Sequence, residues 1–329
     1  MLVLGRAQVE GLLDIDALID ALASAMTDLS AGRAAAPDRV AVRVPERDGF
    51  LAAMPGHVPS AEMLMTKLVS VFPHNGGTPL PTHQALIVAF DPHTGEPAAL
   101  LDGTAITAAR TAAGSALSAR LLARDDASVL ALLGTGAQAR SHAAAMCRVR
   151  PIRQIRVAGR DRAKAAALAD LLSTELQVPA AAFAGYAEAL DGADIAAATT
   201  HAVDPVVRRS WLSPGVHVTS VGFNPDGREI DDATITEALL CVESRQAALA
   251  PFPAGSNDLL LPLRAGLITE AHVHAELGEL LTGRKAGRTS PDQITLYKSV
   301  GVAVQDAAAA ALVVAAAREQ SAGTEIRLG

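Results

Sequence analysis

An apolar run, Ser128 to Leu133, passes directly into Gly134-Thr135-Gly136-Ala137-Gln138-Ala139 and then into a stretch of helical character ending near Arg148. This GxGxxA turn between a strand and a helix constrains the fold more than any other feature of the chain. Gly134 permits the tight turn, Gly136 lets the backbone approach a pyrophosphate, and Ala139 is small enough for the helix to pack closely on the strand. The N-terminus of that helix offers unpaired N–H groups to a phosphate. A glycine turn can also occur in an α/β domain without a nucleotide, but the strand–turn–helix context favours a dinucleotide site.

The segments around the motif fit that reading. After Ser128 the chain alternates short apolar strands with helical stretches: SVLALL, an Ala-rich helix, QIRVA, a helix through Leu176, DIAAATT, HVTSVG and LLCVE. Such alternation predicts a parallel sheet with crossover helices. The first part of the chain differs. Leu18, Ile19, Leu22, Met26 and Leu29 recur at helical spacing, with Gly32 as the stop, and RVAVRV, GFLAAM, MLMTKLVSVF and HQALIVAF then read as a mostly antiparallel sheet. Thr104 to Leu122 reads as a helix joining two domains, and an Ala-rich helix near residues 300 to 318, with no strand behind it, is expected to return to the first. The fold class is therefore α/β, with domains over 1–125, completed by a C-terminal helix over 303–329, and over 126–302.

The 329 residues are enough for two domains, and aromatic residues make up only 3%, so Ala, Val and Leu must build the core. Lys+Arg 28 against Asp+Glu 35 gives 28 − 35 = −7, which argues against nucleic acid as a partner. Cys147 and Cys241 form no CxxC pair, and the nine histidines fall in no ligand motif (His272 and His274 sit two apart), so no metal is expected. The N-terminus lacks the pattern of a secretory signal, and the longest apolar run, between Asp306 and Arg318, is about half of the ~20 residues a membrane span needs. The expected location is the cytoplasm, away from membranes.

The second strand of the alternating half ends in Gly159-Arg160-Asp161-Arg162. An acid at this place binds the ribose of NAD, whereas an arginine accommodates the 2′-phosphate of NADP. Arg160 comes first, so NADPH is expected, with NADH possible because of Asp161.

Several ordered segments are more specific than the glycine turn: PDR at Pro37 to Arg39, FLAAMPG, MTKLVSVFP around Lys67, THQALIVAFD, TAARTAAGSALSA, LLGTGAQA, WLSPGVHVTSVG and KSVGVAVQD from Lys298. Over nearly its whole length the chain resembles the ornithine cyclodeaminase and mu-crystallin family. The resemblance implies a homodimer whose subunits join a Rossmann domain to an α+β substrate-binding and dimerisation domain. It also implies that Arg39, Lys67 and Arg110 hold a substrate carboxylate, with Arg110 also near the nicotinamide. Cations converging on a carboxylate are sensible chemistry, although Arg43 and Arg47 follow Arg39 and the residues alone do not choose among the three. Thr82, His83, Thr111, Gln138, Thr200 and Ser299 match cofactor-contacting positions of the family; His83 is equally readable as a buried hydrogen-bonded histidine.

One departure bears on the reaction. Members that deaminate ornithine or alanine carry an acid shortly after the VG of the late strand, and here that place falls on Phe223, with Asp226 displaced past Pro225. The resemblance therefore implies a reductase of small carboxylate-bearing imines, such as pyrroline-2-carboxylate or a 2-imino acid. Lys67 is then the first candidate for donating or positioning the proton and Asp226 a fallback donor. Amino-acid deamination of the ornithine cyclodeaminase or alanine dehydrogenase type is the alternative reaction, and a non-catalytic binding protein for NADP(H) or a small ligand is the alternative class.

Overall fold

The computed structural model describes residues 1–327; Leu328 and Gly329, which the expected helix over 303–329 would include, lie outside the described residues. The protein is α/β and divides into two compact units, one formed by Met1–Arg110 with the segment from Val302, the other by Thr111–Gly301. The division falls inside the helix Gly103–Leu122, between Arg110 and Thr111, where the sequence expectation had placed it after residue 125.

The first unit carries a mixed sheet in the spatial order Thr324–Glu325, Leu2–Leu4, Pro97–Asp102, His83–Phe90, Met63–Val71, Gly49–Val58 and Val40–Val44. Its last five strands pair antiparallel, as their alternation predicts. Two expectations are corrected. A strand does follow the late helix, since Thr324 and Glu325 pair with Val3 and Leu2, and that helix ends at Glu319, in Gln320 as its C-cap. Neither terminal strand is long enough to reveal itself; Leu2–Leu4 pairs with Pro97–Asp102 and in turn covers Thr324–Glu325.

One face of this sheet packs on the helix Ala303–Glu319. Eleven of that helix's residues are buried, from Ala303 to Ala310 without a break and then Val313, Val314 and Ala317, so it is enclosed on nearly every side. Alanine makes this possible: a Cβ at Gly56 would stand 3.0 Å from that of Ala303. The helix Ile15–Ser30, capped by Asp14 on the Ala17 N–H, lies against it. The opposite face of the sheet is open. Val40, Leu68 and Leu86 stand in one register row across it, Val42 and Leu51 in the next, and all five are exposed.

The second unit carries a sheet in the order Ala275–Glu276, Leu239–Val242, Thr295–Lys298, His217–Ser220, Ile195–Ala198, Val129–Leu133, Gln154–Ala158 and Ala180–Ala182. Every neighbouring pair is parallel, and the central strands are buried along their whole length, as a sheet covered on both faces requires. Among the described residues no helix is long and apolar enough to cross a membrane, and no cluster of three or more His, Cys, Asp or Glu could hold a metal.

Two histidines lie inside this unit. His142 Nδ1 is 2.7 Å from the Gln138 carbonyl and so carries the hydrogen, leaving Nε2 to accept from Ser115 at 2.9 Å, while Thr219 donates to the same Ser115 hydroxyl. His217 lies between Ser118 and Thr295. Burial pushes His142 down to about 4 and, helped by Arg288 and Arg150, His217 down to about 3. Unfolded chains bind these two protons below about pH 6.5 and the folded chain does not, so stability falls as pH drops from 6.5 toward 4. His83, which burial and its cationic neighbours also push down to about 4, makes a third, so urea midpoints measured between pH 7.5 and 5 should report uptake of about three extra protons on unfolding, and about one fewer in a His142→Gln variant. A midpoint independent of pH in this window contradicts the assignment.

Candidate active site

In the first unit the strand Met63–Val71 alternates strictly, and Met63, Met65, Lys67 and Val69 share the buried face. Lys67 is thus placed inside by the same period that buries its apolar neighbours. Its ammonium meets Asp306 of the Ala-rich helix, at 3.0 Å to Oδ1 and 2.9 Å to Oδ2, and reaches Thr107 Oγ1 at 3.4 Å. Arg110 donates to the same carboxylate through Nε at 3.2 Å and to Gln305 Oε1 through Nη1 at 2.8 Å. Asp102 starts the helix that carries Arg110, accepting the Ala105 N–H at 2.7 Å.

Lys67 and Asp306 are 2% and 0% exposed and Arg110 6%, so two buried cations share one buried carboxylate and the group carries 2 − 1 = +1. Burial pushes the Lys67 ammonium down to about 8, with Asp306 opposing the fall and Arg110 and Arg39 adding to it. Burial would raise the Asp306 carboxyl, but Arg110 and Lys67 outweigh it and hold the group below the usual carboxylate range. Burial together with Lys67 and Arg110 pushes His83 down to about 4, leaving a neutral imidazole at pH 7. Lys67 and Arg110 thus meet at Asp306, the charges of both reach His83, and that of Arg39 reaches Lys67. Thr82, next to His83, is exposed, and its carbonyl accepts the Phe72 N–H.

In the second unit the strand Val129–Leu133 ends in Gly134 at φ +122°, where a Cβ would come within 2.7 Å of Thr199 Oγ1 and 2.9 Å of its carbonyl oxygen. Nothing lies within 4 Å of a Cβ at Gly136, the N-cap of the helix Ala137–Val149, and Ala139 is buried against the sheet beside Leu130 and Leu132. Gly134, Gly136, Gly159, Arg160, Asp161 and Thr200 line one cavity of about 480 Å³, joined by Lys164. Asp161 Oδ1 is engaged as the N-cap of the next helix, accepting from the Ala163 and Lys164 N–H groups. Space at Gly136, free helix N–H groups and cations at the far rim fit a dinucleotide with its pyrophosphate at the turn. Gln138, Thr111 and Ser299 are outside this cavity's lining; Thr111 and Ser299 are buried, and Gln138 presents its backbone carbonyl to His142.

The strand-end loops around that cavity rest on buried carboxylates. Glu229 accepts from the Thr200 N–H and hydroxyl at 2.5 and 2.7 Å, from Ser220 Oγ at 2.7 Å and from the Gly222 N–H at 2.8 Å. Lys298 bridges Ser220, the Gly222 carbonyl and Asp258. Glu243 takes Ser299 Oγ and the N–H groups of Val300 and Gly301 on one oxygen. Phe223 packs near Phe252, ring centroids 6.1 Å apart, while Asp226 is exposed on a turn with its N–H on Asn224 Oδ1.

Sequence reasoning missed Asp306, although it is the sole charge between Lys298 and Arg318 in an otherwise apolar and Ala-rich helix. A charge in such a helix has to be paired inside, and that signal would have found it. Glu229 and Glu243 give none: Glu229 lies in the loop after His217–Ser220 and Glu243 directly after Leu239–Val242, both places where a solvated charge is ordinary.

The sequence pattern of the ornithine cyclodeaminase/mu-crystallin family matches residues 1–321. A delta(1)-pyrroline-2-carboxylate reductase of Bacillus cereus is 36% identical over 328 residues, 99% of both chains, and the ketimine reductase mu-crystallin of Mus musculus is 36% identical over 300 residues, 90% of both. The structure of the Thermococcus litoralis delta(1)-pyrroline-2-carboxylate reductase, in complex with NADH and L-proline, superposes with a TM-score of 0.95 at 37% identity, covering 99% of this chain and 100% of that one. By the extent of that match and these identities, the chain belongs to the ornithine cyclodeaminase/mu-crystallin family.

Proposed function

We propose that the protein is an NAD(P)H-dependent oxidoreductase that reduces a small carboxylate-bearing imine, a cyclic ketimine such as pyrroline-2-carboxylate or a 2-imino acid, to the amino acid. The observation that carries this is the uncompensated charge at Asp306: Lys67 and Arg110 are buried with one carboxylate between them. Burying a cation without a partner costs several kcal/mol, so a site left at +1 is built to receive an anion. The names of the relatives supply the rest of the ligand, a carbon–nitrogen double bond beside the carboxylate.

In this reading Arg39 and Arg110 hold the carboxylate and Lys67 serves the nitrogen. Reduction adds a hydride to the imine carbon and a proton to its nitrogen. The dinucleotide, held by Gly134, Gly136, Ala137, Gln138, Gly159, Arg160, Thr200 and Ser299, supplies the hydride when bound. An ammonium that titrates at about 8 is mostly protonated at pH 7 and acidic enough to give its proton up. Asp306 keeps Lys67 charged and aimed until it does so. Asp226, exposed on its turn, is outside this scheme, and with Phe223 at the acid's place deamination is disfavoured. Arg160 and Lys164 on the cavity rim favour NADPH over NADH, because the N-cap role of Asp161 commits one of its oxygens to the backbone. The exposed rows Val40–Leu68–Leu86 and Val42–Leu51 support a homodimer closed over that face of the sheet; a single-chain mass in sedimentation contradicts it.

One assay panel tests the activity. Purified protein should oxidise NADPH with pyrroline-2-carboxylate and release little ammonia from ornithine. Arg110→Ala should lower kcat/KM by at least the roughly ten- to hundredfold that one charged carboxylate contact supplies. Arg160→Ala should weaken NADPH by about the same factor and leave NADH nearly unchanged. Ammonia release from ornithine that exceeds imine reduction, and that Asp226→Asn abolishes, would falsify the reductase reading; equal losses of both cofactors in Arg160→Ala contradict the NADPH assignment.

A further inference from the structure

We infer that Gln305 is a substrate-binding residue whose side-chain NH2 donates to the carboxylate of the imino acid beside Arg110; this rests on the reading above and deepens it. Gln305 stands on the first turn of the Ala-rich helix, immediately before Asp306, and is fully buried. Its Oε1 accepts twice, from Arg110 Nη1 at 2.8 Å and from the Val302 N–H at 3.2 Å. These two donors fix the orientation of the amide. A flipped side chain would set an NH2 against a guanidinium and a backbone N–H, neither of which can accept.

The nitrogen is therefore the uncommitted end, and it has no hydrogen-bond partner among the described residues. A buried amide donor without a partner is rare in native structures and calls for one that the chain itself does not supply. The surroundings say what kind. Arg110 commits Nη1 to the oxygen of this same amide and Nε to Asp306, which leaves its Nη2 and Gln305 Nε2 as the inferred pair of donors for an incoming anion in a group of net charge +1. A planar carboxylate takes one hydrogen bond on each oxygen from such a pair and neutralises the group at the same time. The amide adds direction to the anion site without adding charge.

Two substitutions separate the donor from the rest of the side chain. Gln305→Glu keeps an oxygen for Arg110 and Val302 but replaces the NH2 with an acceptor. Gln305→Met, of similar length, removes the donor without adding a charge. With the dinucleotide saturating, the KM for pyrroline-2-carboxylate should rise at least roughly tenfold in both, as expected for one lost hydrogen bond to a charged group. Dinucleotide affinity, followed by nicotinamide fluorescence, should stay within about twofold of wild type, a tenfold change being the threshold set by 1.4 kcal/mol. A wild-type enzyme that turns over the imine while both variants keep its KM overturns the role of Gln305 alone, as does a loss confined to dinucleotide affinity. A wild-type protein that turns over no carboxylated imine overturns the underlying reading and this inference with it.

Discussion

The carboxylate of Asp306 is the group on which the first unit depends. It is fully buried, it is held by Lys67 and Arg110 together, and without it two cations would face each other in the interior. Breaking a buried pair by removing one partner costs about 3 to 5 kcal/mol, and here one removal strands two charges. The surrounding sequence is arranged to put it there. Alanines before and after Asp306 let the helix approach the sheet closely enough for a short aspartate to reach a strand lysine, and strand alternation turns that lysine inward. A longer apolar side chain on this helix would hold the two elements apart.

The second unit uses buried carboxylates in a different way. Glu229 gathers the ends of two strand-loop segments, Thr200 and Gly222, while Glu243 gathers the segment from Ser299 to Gly301. The N–H groups of Thr200, Gly222, Val300 and Gly301 lie past the strand ends and need an acceptor, and a carboxylate oxygen can satisfy two or three at once. Rigid loops at the ends of parallel strands are what an α/β sheet offers a ligand. The cavity at Gly134, Gly136 and Thr200 is built on that support.

Much of this was legible in the sequence because it follows from local rules. The strand–turn–helix at Gly134, the alternation of strands and helices after it, and the amphipathic helix starting at Ile15 depend on neighbours a few residues apart. What stayed hidden depends on partners far along the chain. Leu2–Leu4 and Thr324–Glu325 become strands only by pairing with each other and with Pro97–Asp102. Lys67 stands out by family resemblance, and its place on a buried face is also readable from Met63, Met65 and Val69 around it. Asp306 sits at the edge of an apolar run, and its 239-residue separation from Lys67 is why spacing cannot connect the two.

The central claim is that Asp306 keeps Lys67 charged at the pH where the enzyme works. Single-turnover imine reduction, followed from pH 6 to 10 in wild type and in Asp306→Asn, tests it most directly. In wild type the rate should fall as pH rises through about 8, where the ammonium is lost. In Asp306→Asn the raising influence of the carboxylate is gone while burial and Arg110 still act, so the fall should move to lower pH and the plateau rate should drop. A variant whose profile and plateau match the wild type would contradict the account.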